Sequence, residues 1–141
     1  MDKMLTINTD GGARGNPGPA AIGIVIRRDE KIIEKYSEKL KTRVTNNVAE
    51  YIGLIRALQI VLQDYEDKEI TCCLDSELVI KQLLGQYRVR NQVLMKLFLK
   101  VQKLQESFEK IIYKHVKRKD PHQKIADYLL NQELDKDSVK S

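Results

Sequence analysis

A chain of 141 residues, 42% hydrophobic and 32% charged, can bury one core without a disulfide staple and argues for one compact domain. No apolar run approaches the roughly 18 to 20 residues that span a bilayer, and the opening MDKMLTINTD has no signal-peptide stretch, so the reading is a soluble, cytoplasmic protein. The net charge of +5 favours a polyanionic partner without establishing one, and the two cysteines, adjacent at Cys72 and Cys73, suit neither a disulfide nor a zinc site.

Met4 to Asp10 alternates as a half-buried strand does, and the glycine- and proline-rich stretch Gly11 to Pro19 predicts a turn. Ala20 to Arg27 reads as a central strand, Asp29–Glu30 as a polar turn and Lys31 to Lys39 as a returning strand. Val48 to Tyr65 repeats apolar residues at three and four, with Glu50, Gly53, Arg56 and Gln63 on a more polar stripe. Ile70 to Asp75 is a buried strand, Ser76 to Leu84 a short helix stopped by Gly85, and Asn91 to Phe108 a helix with an apolar stripe. Ile111 to Val116 is the last strand. The final helix spans about His122 to Glu133 and buries Ile125, Leu129 and Leu130. A single domain over residues 1–134 thus ends in a polar, frayed tail, 135–141. The order implies an α/β fold, a mixed five-stranded sheet flanked by helices, with a right-handed parallel crossover.

Four acids fall where strands end or helices begin: Asp10, Glu50, Asp75 and Asp127. Sites in open α/β sheets gather beyond the carboxyl ends of strands, and carboxylates packed there repel unless a cation or protons neutralise them. Hard oxygen ligands suit Mg²⁺ or Mn²⁺, and two such ions roughly 4 Å apart can hydrolyse a phosphodiester without a side-chain nucleophile. Each acid alone has an ordinary reading. Asp10–Gly11 can be only a turn, Asp75–Ser76 a helix start, Asp127 a solvated helix acid, and Asn47 with Glu50 three positions on a capping box.

The segments TDGGARGNPGPAAIG, TNNVAEYIGLIRAL, LDSELVIKQLLGQY and HVKRKDPHQKIADYLLNQEL, in that order along nearly the whole chain, resemble type 1 ribonuclease H. The resemblance implies a sheet of strand order 3-2-1-4-5 and an endonuclease that cuts the RNA strand of RNA–DNA hybrids, leaving 5′-phosphate and 3′-hydroxyl ends. It implies two Mg²⁺ (or Mn²⁺) ions on Asp10, Glu50, Asp75 and Asp127, which are then the catalytic residues. Gly11, Gly12, Arg14, Asn16, Thr45, Asn46 and Asn47 become the substrate-binding set, and Asn46 and Asn47 match a pair lying along the minor groove. Asparagine amides suit that task, because they donate to and accept from the 2′-hydroxyl that marks RNA. GGARGNPG lacks the Lys-Ser/Thr of a P-loop, so no small-molecule cofactor is implied. A monomer with no membrane role is expected.

Three departures from the family pattern stand out. The mobile loop that carries a His before the last Asp is short here; Arg118 or His115 is the candidate for proton transfer or product release, and His115 also reads as a partly buried strand residue. The basic helical protrusion of some members is absent, leaving Lys81, Arg88, Arg90, Lys117, Arg118 and Lys119 to hold the hybrid. Glu77 stands where a Gln often contacts the substrate. The alternatives are a non-catalytic module that binds hybrids or double-stranded RNA, and a nuclease for junctions or single-stranded DNA on the same fold.

Overall fold

The computed structural model describes residues 4–139. Among them, nine elements follow in order: β1 (Leu5–Ala13), β2 (Ala20–Arg28), β3 (Lys31–Lys39), α1 (Asn46–Asp64), β4 (Glu69–Leu74), α2 (Glu77–Leu83), α3 (Gln92–Gln105), β5 (Lys110–His115) and α4 (Pro121–Val139). The strands form one sheet in the order β3-β2-β1-β4-β5, as the resemblance implies. β1 to β3 make an antiparallel meander, while β4 and β5 join β1 in parallel. No helix among the described residues is long and apolar enough to cross a membrane.

Strand alternation divides the packing between two faces. Leu5 and Ile7 of β1 and Ile22, Ile24 and Ile26 of β2 point to one face, where they meet Tyr51, Leu54, Leu58 and Val61 of α1. Leu94 and Val101 of α3 complete that core. The opposite face carries a smaller cluster, Ala21 with Leu130 and Leu134 of α4. Cys72 joins the larger core, and Cys73 is buried on the other side; both are free thiols.

Glycines decide how closely the two helix layers approach. A Cβ on Gly11 would lie 2.2 Å from the Ala49 carbonyl oxygen of α1, and one on Gly23 would lie 2.0 Å from the Ala126 carbonyl oxygen of α4. Neither backbone oxygen can yield as a flexible side chain would. Gly23 is also the cross-strand partner of Asp10, so α4 crosses the sheet beside that acid.

The structure departs from expectation at four places. β1 runs on to Ala13 rather than ending at Asp10, because Gly11, Gly12 and Ala13 keep pairing with Ile22, Ala21 and Ala20. The turn is confined to the loop beyond, where Arg14 N–H donates to the Pro19 carbonyl at 2.8 Å and the Asn16–Pro17 bond is cis. α1 is capped by Thr45, whose Oγ1 accepts from Val48 N–H at 3.2 Å, so Asn47 and Glu50 form no capping box. α4 extends to Val139, well past Glu133, and most of the expected frayed tail is helical; residues 140–141 lie outside the described residues. Its buried apolar residues are Ala126, Leu130 and Leu134, while Ile125 and Leu129 are only half-buried. The seat on Gly23 turns the helix to present its small residue.

Replacing Gly23 by Ala is expected to lower unfolding free energy by at least the ~1–3 kcal/mol typical of overpacking. Gly12→Ala, whose added Cβ meets only the Leu130 side chain at 3.4 Å, should cost under ~1 kcal/mol. Urea titrations with unchanged slope and shifted midpoints measure both.

Candidate metal centre and nucleic-acid cleft

β1 and β4 pair in parallel up to Asn8 with Cys73. Two residues further along each strand stand Asp10 and Asp75. They leave the same end of the sheet, just where β4 stops at Leu74. Ser76 takes over the capping of α2, its Oγ accepting from Val79 N–H, and Asp75 is thereby released from the helix-start role it could have had. Glu50 arrives from α1, whose first turns are pressed onto β1 at Gly11 and Gly53. Asp10, Glu50 and Asp75 each place a carboxylate oxygen within 4.8 Å of the others.

Two of the three are buried, Asp10 at 5% and Glu50 at 7% exposed, and Asp75 is half-buried. Burial pushes the Asp10 carboxyl up to about 7; a hydrogen bond with Glu50 opposes the rise, and the charges of Asp75 and Asp127 add to it. Burial, with the charge of Asp10 behind it, raises Glu50 well above the usual carboxylate range. Asp75 is raised by burial against the opposing pull of Arg118. Asp10 Oδ1 accepts from Gly11 N–H at 2.9 Å, whereas Glu50 Oε2 is buried with no hydrogen-bond partner among the described residues. An orphaned carboxylate oxygen among all-oxygen donors fits a hard divalent cation.

Asp127 stands outside this tight trio but lines the same cleft, together with Gly11, Gly12, Arg14, Asn46, Asn47 and Arg118. The other expected contacts act on the scaffold. Asn16 Oδ1 accepts from Asn46 N–H at 2.9 Å, and Asn46 Oδ1 accepts from Ala13 N–H at 2.8 Å. With both carbonyl ends held, the two side chains keep their NH₂ groups as donors. His115 is exposed rather than partly buried, because it closes the edge strand β5; its Nε2 lies 3.2 Å from the Asp75 carbonyl oxygen. Glu77 is neutralised by Lys81 at 2.6 Å, and Lys81 also sits over the Tyr87 ring. Arg88, Arg90, Lys117 and Lys119 are exposed, and none of them lines this cleft.

Sequence reading missed three polar residues around the site. Gln123, fully buried, donates from Nε2 to the Thr9 carbonyl at 2.8 Å and accepts from Asn8 at 3.1 Å. Asn131 donates to Asp127, and Asp135 pairs with Arg14. Their spacing of four or eight from Asp127 along one helix was the available signal.

The pH dependence of the metal-free protein follows in sign. Asp10 rises from 3.8 to about 7 on folding, so between those values the folded chain binds more protons than the unfolded one. Stability therefore falls as pH rises through that window. Asp10→Asn is expected to raise metal-free stability at mildly alkaline pH by on the order of 2 kcal/mol and to flatten the pH profile. Excess Mg²⁺ should raise the Tm of the native chain and leave that of Asp10→Asn nearly unmoved. Thermal unfolding across pH, with chelator or with Mg²⁺, checks both.

A family model described as reverse transcriptase-like matches residues 8–132. A bifunctional protein of Mycobacterium tuberculosis is 38% identical over 132 residues, which cover 93% of this chain and 35% of that protein. The chain thus spans about a third of the first curated relatives it matches. Ribonuclease HI of Halobacterium salinarum is 36% identical over 89% of this chain and 62% of its own length. Among solved structures, the N-terminal RNase H domain of the M. tuberculosis protein superposes with a TM-score of 0.87 at 34% identity, covering 99% of each chain. LC11-RNase H1, solved in complex with an RNA/DNA hybrid, superposes with a TM-score of 0.85 at 36% identity, covering 94% of this chain and 97% of that one. Sheet order, acid placement and these likenesses agree, and the chain belongs to the type 1 ribonuclease H family.

Proposed function

We propose that this protein is an endoribonuclease that hydrolyses the RNA strand of RNA–DNA hybrids in the cytoplasm, acting as a monomer with Mg²⁺ or Mn²⁺. The observation that carries the reading is the Asp10–Glu50–Asp75 cluster, buried at Asp10 and Glu50, with its unpartnered Glu50 oxygen, opening onto a cleft of amide and guanidinium groups. Asp10, Glu50 and Asp75 would hold the cation, and Asp127 would complete the site for a second. When bound, such ions activate the attacking water and stabilise the leaving oxygen, giving 5′-phosphate and 3′-hydroxyl ends.

The residues of the chain supply position and charge. Asn47 lines the cleft beside Glu50, and Asn46 presents its NH₂ group beside the glycine strand. Both suit a sugar 2′-hydroxyl in a shallow groove, so selection acts on sugar and groove shape rather than base sequence. Arg118, in the cleft and near enough to pull on Asp75, is placed to offset charge on the leaving group. His115 neighbours the Asp75 backbone and can take part in proton transfer or product release.

The test is a labelled hybrid, an RNA duplex and a DNA duplex, each with Mg²⁺ or Mn²⁺. Cleavage is expected for the hybrid and to fall by on the order of a thousandfold in Asp10→Asn, the loss of several kcal/mol of charge stabilisation. Full activity in Asp10→Asn, or after chelation, sinks the mechanism; tight hybrid binding with no cleavage in either metal revives the binding module. Asn47→Ala should raise KM for the hybrid about tenfold with kcat little changed, the worth of a hydrogen bond or two.

A further inference from the structure

Asp10 and Glu50 are buried, on β1 and in the first turns of α1. Asp127, like Asp75, is only half-buried, and it stands on an outer helix, where a side chain keeps rotamer freedom unless something holds it. What holds it is Asn131, one turn on. Asn131 Nδ2 donates to Asp127 Oδ1 at 3.2 Å and to the Asp127 carbonyl at 2.9 Å. Asn131 Oδ1 accepts from Arg14 Nη2 at 3.2 Å. The same Arg14 nitrogen reaches Asp135 Oδ1 at 2.5 Å and the Asn131 carbonyl at 3.5 Å.

The chemistry of this chain of contacts runs in one direction. A guanidinium has donors only, so the amide end that faces Arg14 must be the carbonyl. The NH₂ end is thereby committed to Asp127. Arg14 comes from the loop after β1, the strand that carries Asp10, while Asn131 comes from the helix that carries Asp127. One side-chain amide thus ties the orientation of the fourth acid to the strand of the first. Asp127 Oδ1 is occupied, and among the described residues no hydrogen bond reaches Oδ2.

We propose that Asn131 is a positioning residue for Asp127, itself oriented by Arg14, and that it presents this carboxylate to the cation site in a fixed rotamer. The inference rests on the reading of Asp127 as a metal ligand. It also gives Arg14 a task separate from any contact with substrate phosphate.

The test measures Mg²⁺ binding by calorimetry on the full chain without nucleic acid, and then kcat and KM for the hybrid. Asn131→Leu is expected to weaken Mg²⁺ binding about tenfold and to lower kcat by a similar factor with KM unchanged, the scale of losing a partner that orients a ligand. Asn131→Gln keeps the donor and should recover most of the loss. Arg14→Met, which leaves α4 untouched, should weaken Mg²⁺ binding in the same direction by a smaller factor, and the double variant should be no worse than Asn131→Leu alone. The Arg14→Met measurement decides the matter if Asn131→Leu does not fold. Unchanged Mg²⁺ affinity in Asn131→Leu, equal loss in Asn131→Leu and Asn131→Gln, or additive losses in the double variant would overturn the proposal. So would an Asp127→Asn protein with undiminished Mg²⁺ affinity. A native chain that binds Mg²⁺ but leaves the hybrid intact refutes the hydrolytic reading alone, since the calorimetric comparison of variants still decides the role of Asn131.

Discussion

Two helices rest on opposite faces of the β1–β2 pair, and each is admitted by a glycine. Gly11 lies under Ala49 of α1, and Gly23 lies under Ala126 of α4, at separations no Cβ would survive. Gly23 is the cross-strand partner of Asp10, and the residues after the two helix contacts are Glu50 and Asp127. Each close approach therefore delivers an acid to the same stretch of β1. On the third side β4 ends at Leu74, so β1 loses its parallel neighbour just where Asp10 emerges. The gap left by that missing neighbour is the cleft. The acid constellation follows from backbone packing, not from any affinity of carboxylates for one another.

That packing brings like charges together with little water, which the folded state resists. Elsewhere in the chain an acid with a partner behaves oppositely. Both nitrogens of the Arg28 fork donate to Asp67 at 2.9 Å, and this pairing holds Asp67 below its ordinary range. Among the described residues, Asp10 and Glu50 have no cationic side chain in contact, and both are raised. The contrast separates a structural ion pair, for which the chain supplies the counter-ion, from a cluster of raised carboxylates such as functional sites gather. Stability given up at such a site is a common concomitant of function.

Much of this was legible in the sequence, because strand alternation and the three-and-four helical repeat are set by burial, and burial dominates the sheet and α1. The three strands of the meander and the crossover followed from that patterning, and the strand order from the resemblance to type 1 ribonuclease H. What escaped notice depends on tertiary contact. Gly11 to Ala13 read as a turn because glycines break isolated strands, yet here they keep the ladder with β2 since helices press on both faces. Asn47 read as the cap because it stands three before Glu50; Thr45 took the role, and Asn46 turned its carbonyl toward Ala13 instead. The buried stripe of α4 could not be phased from apolar residues, because the deepest contact is Ala126 against a glycine. The acids themselves were visible, but only the fold separates the tight trio from Asp127.

That separation gives α4 a particular standing. The helix is fastened to β1 by two amide side chains eight residues apart: Gln123 grips the Thr9 carbonyl, and Asn131 meets Arg14 from the loop beyond. Asp127 lies midway between them. Apolar packing under this helix is a small cluster of Ala21, Leu130 and Leu134 beside the Ala126 seat on Gly23, and directional polar bonds add to the register between α4 and the strand. A hydrogen bond is more sensitive to displacement than an apolar contact, weakening steeply once its angle or length departs from the optimum. The seat of Ala126 on Gly23 brings Asp127 to the sheet, and these amide contacts then fix how its carboxylate is turned. In one cleft the fold uses backbone packing to deliver acids from α1 and α4, and amide geometry to orient the carboxylate that stays half-buried on the outer helix.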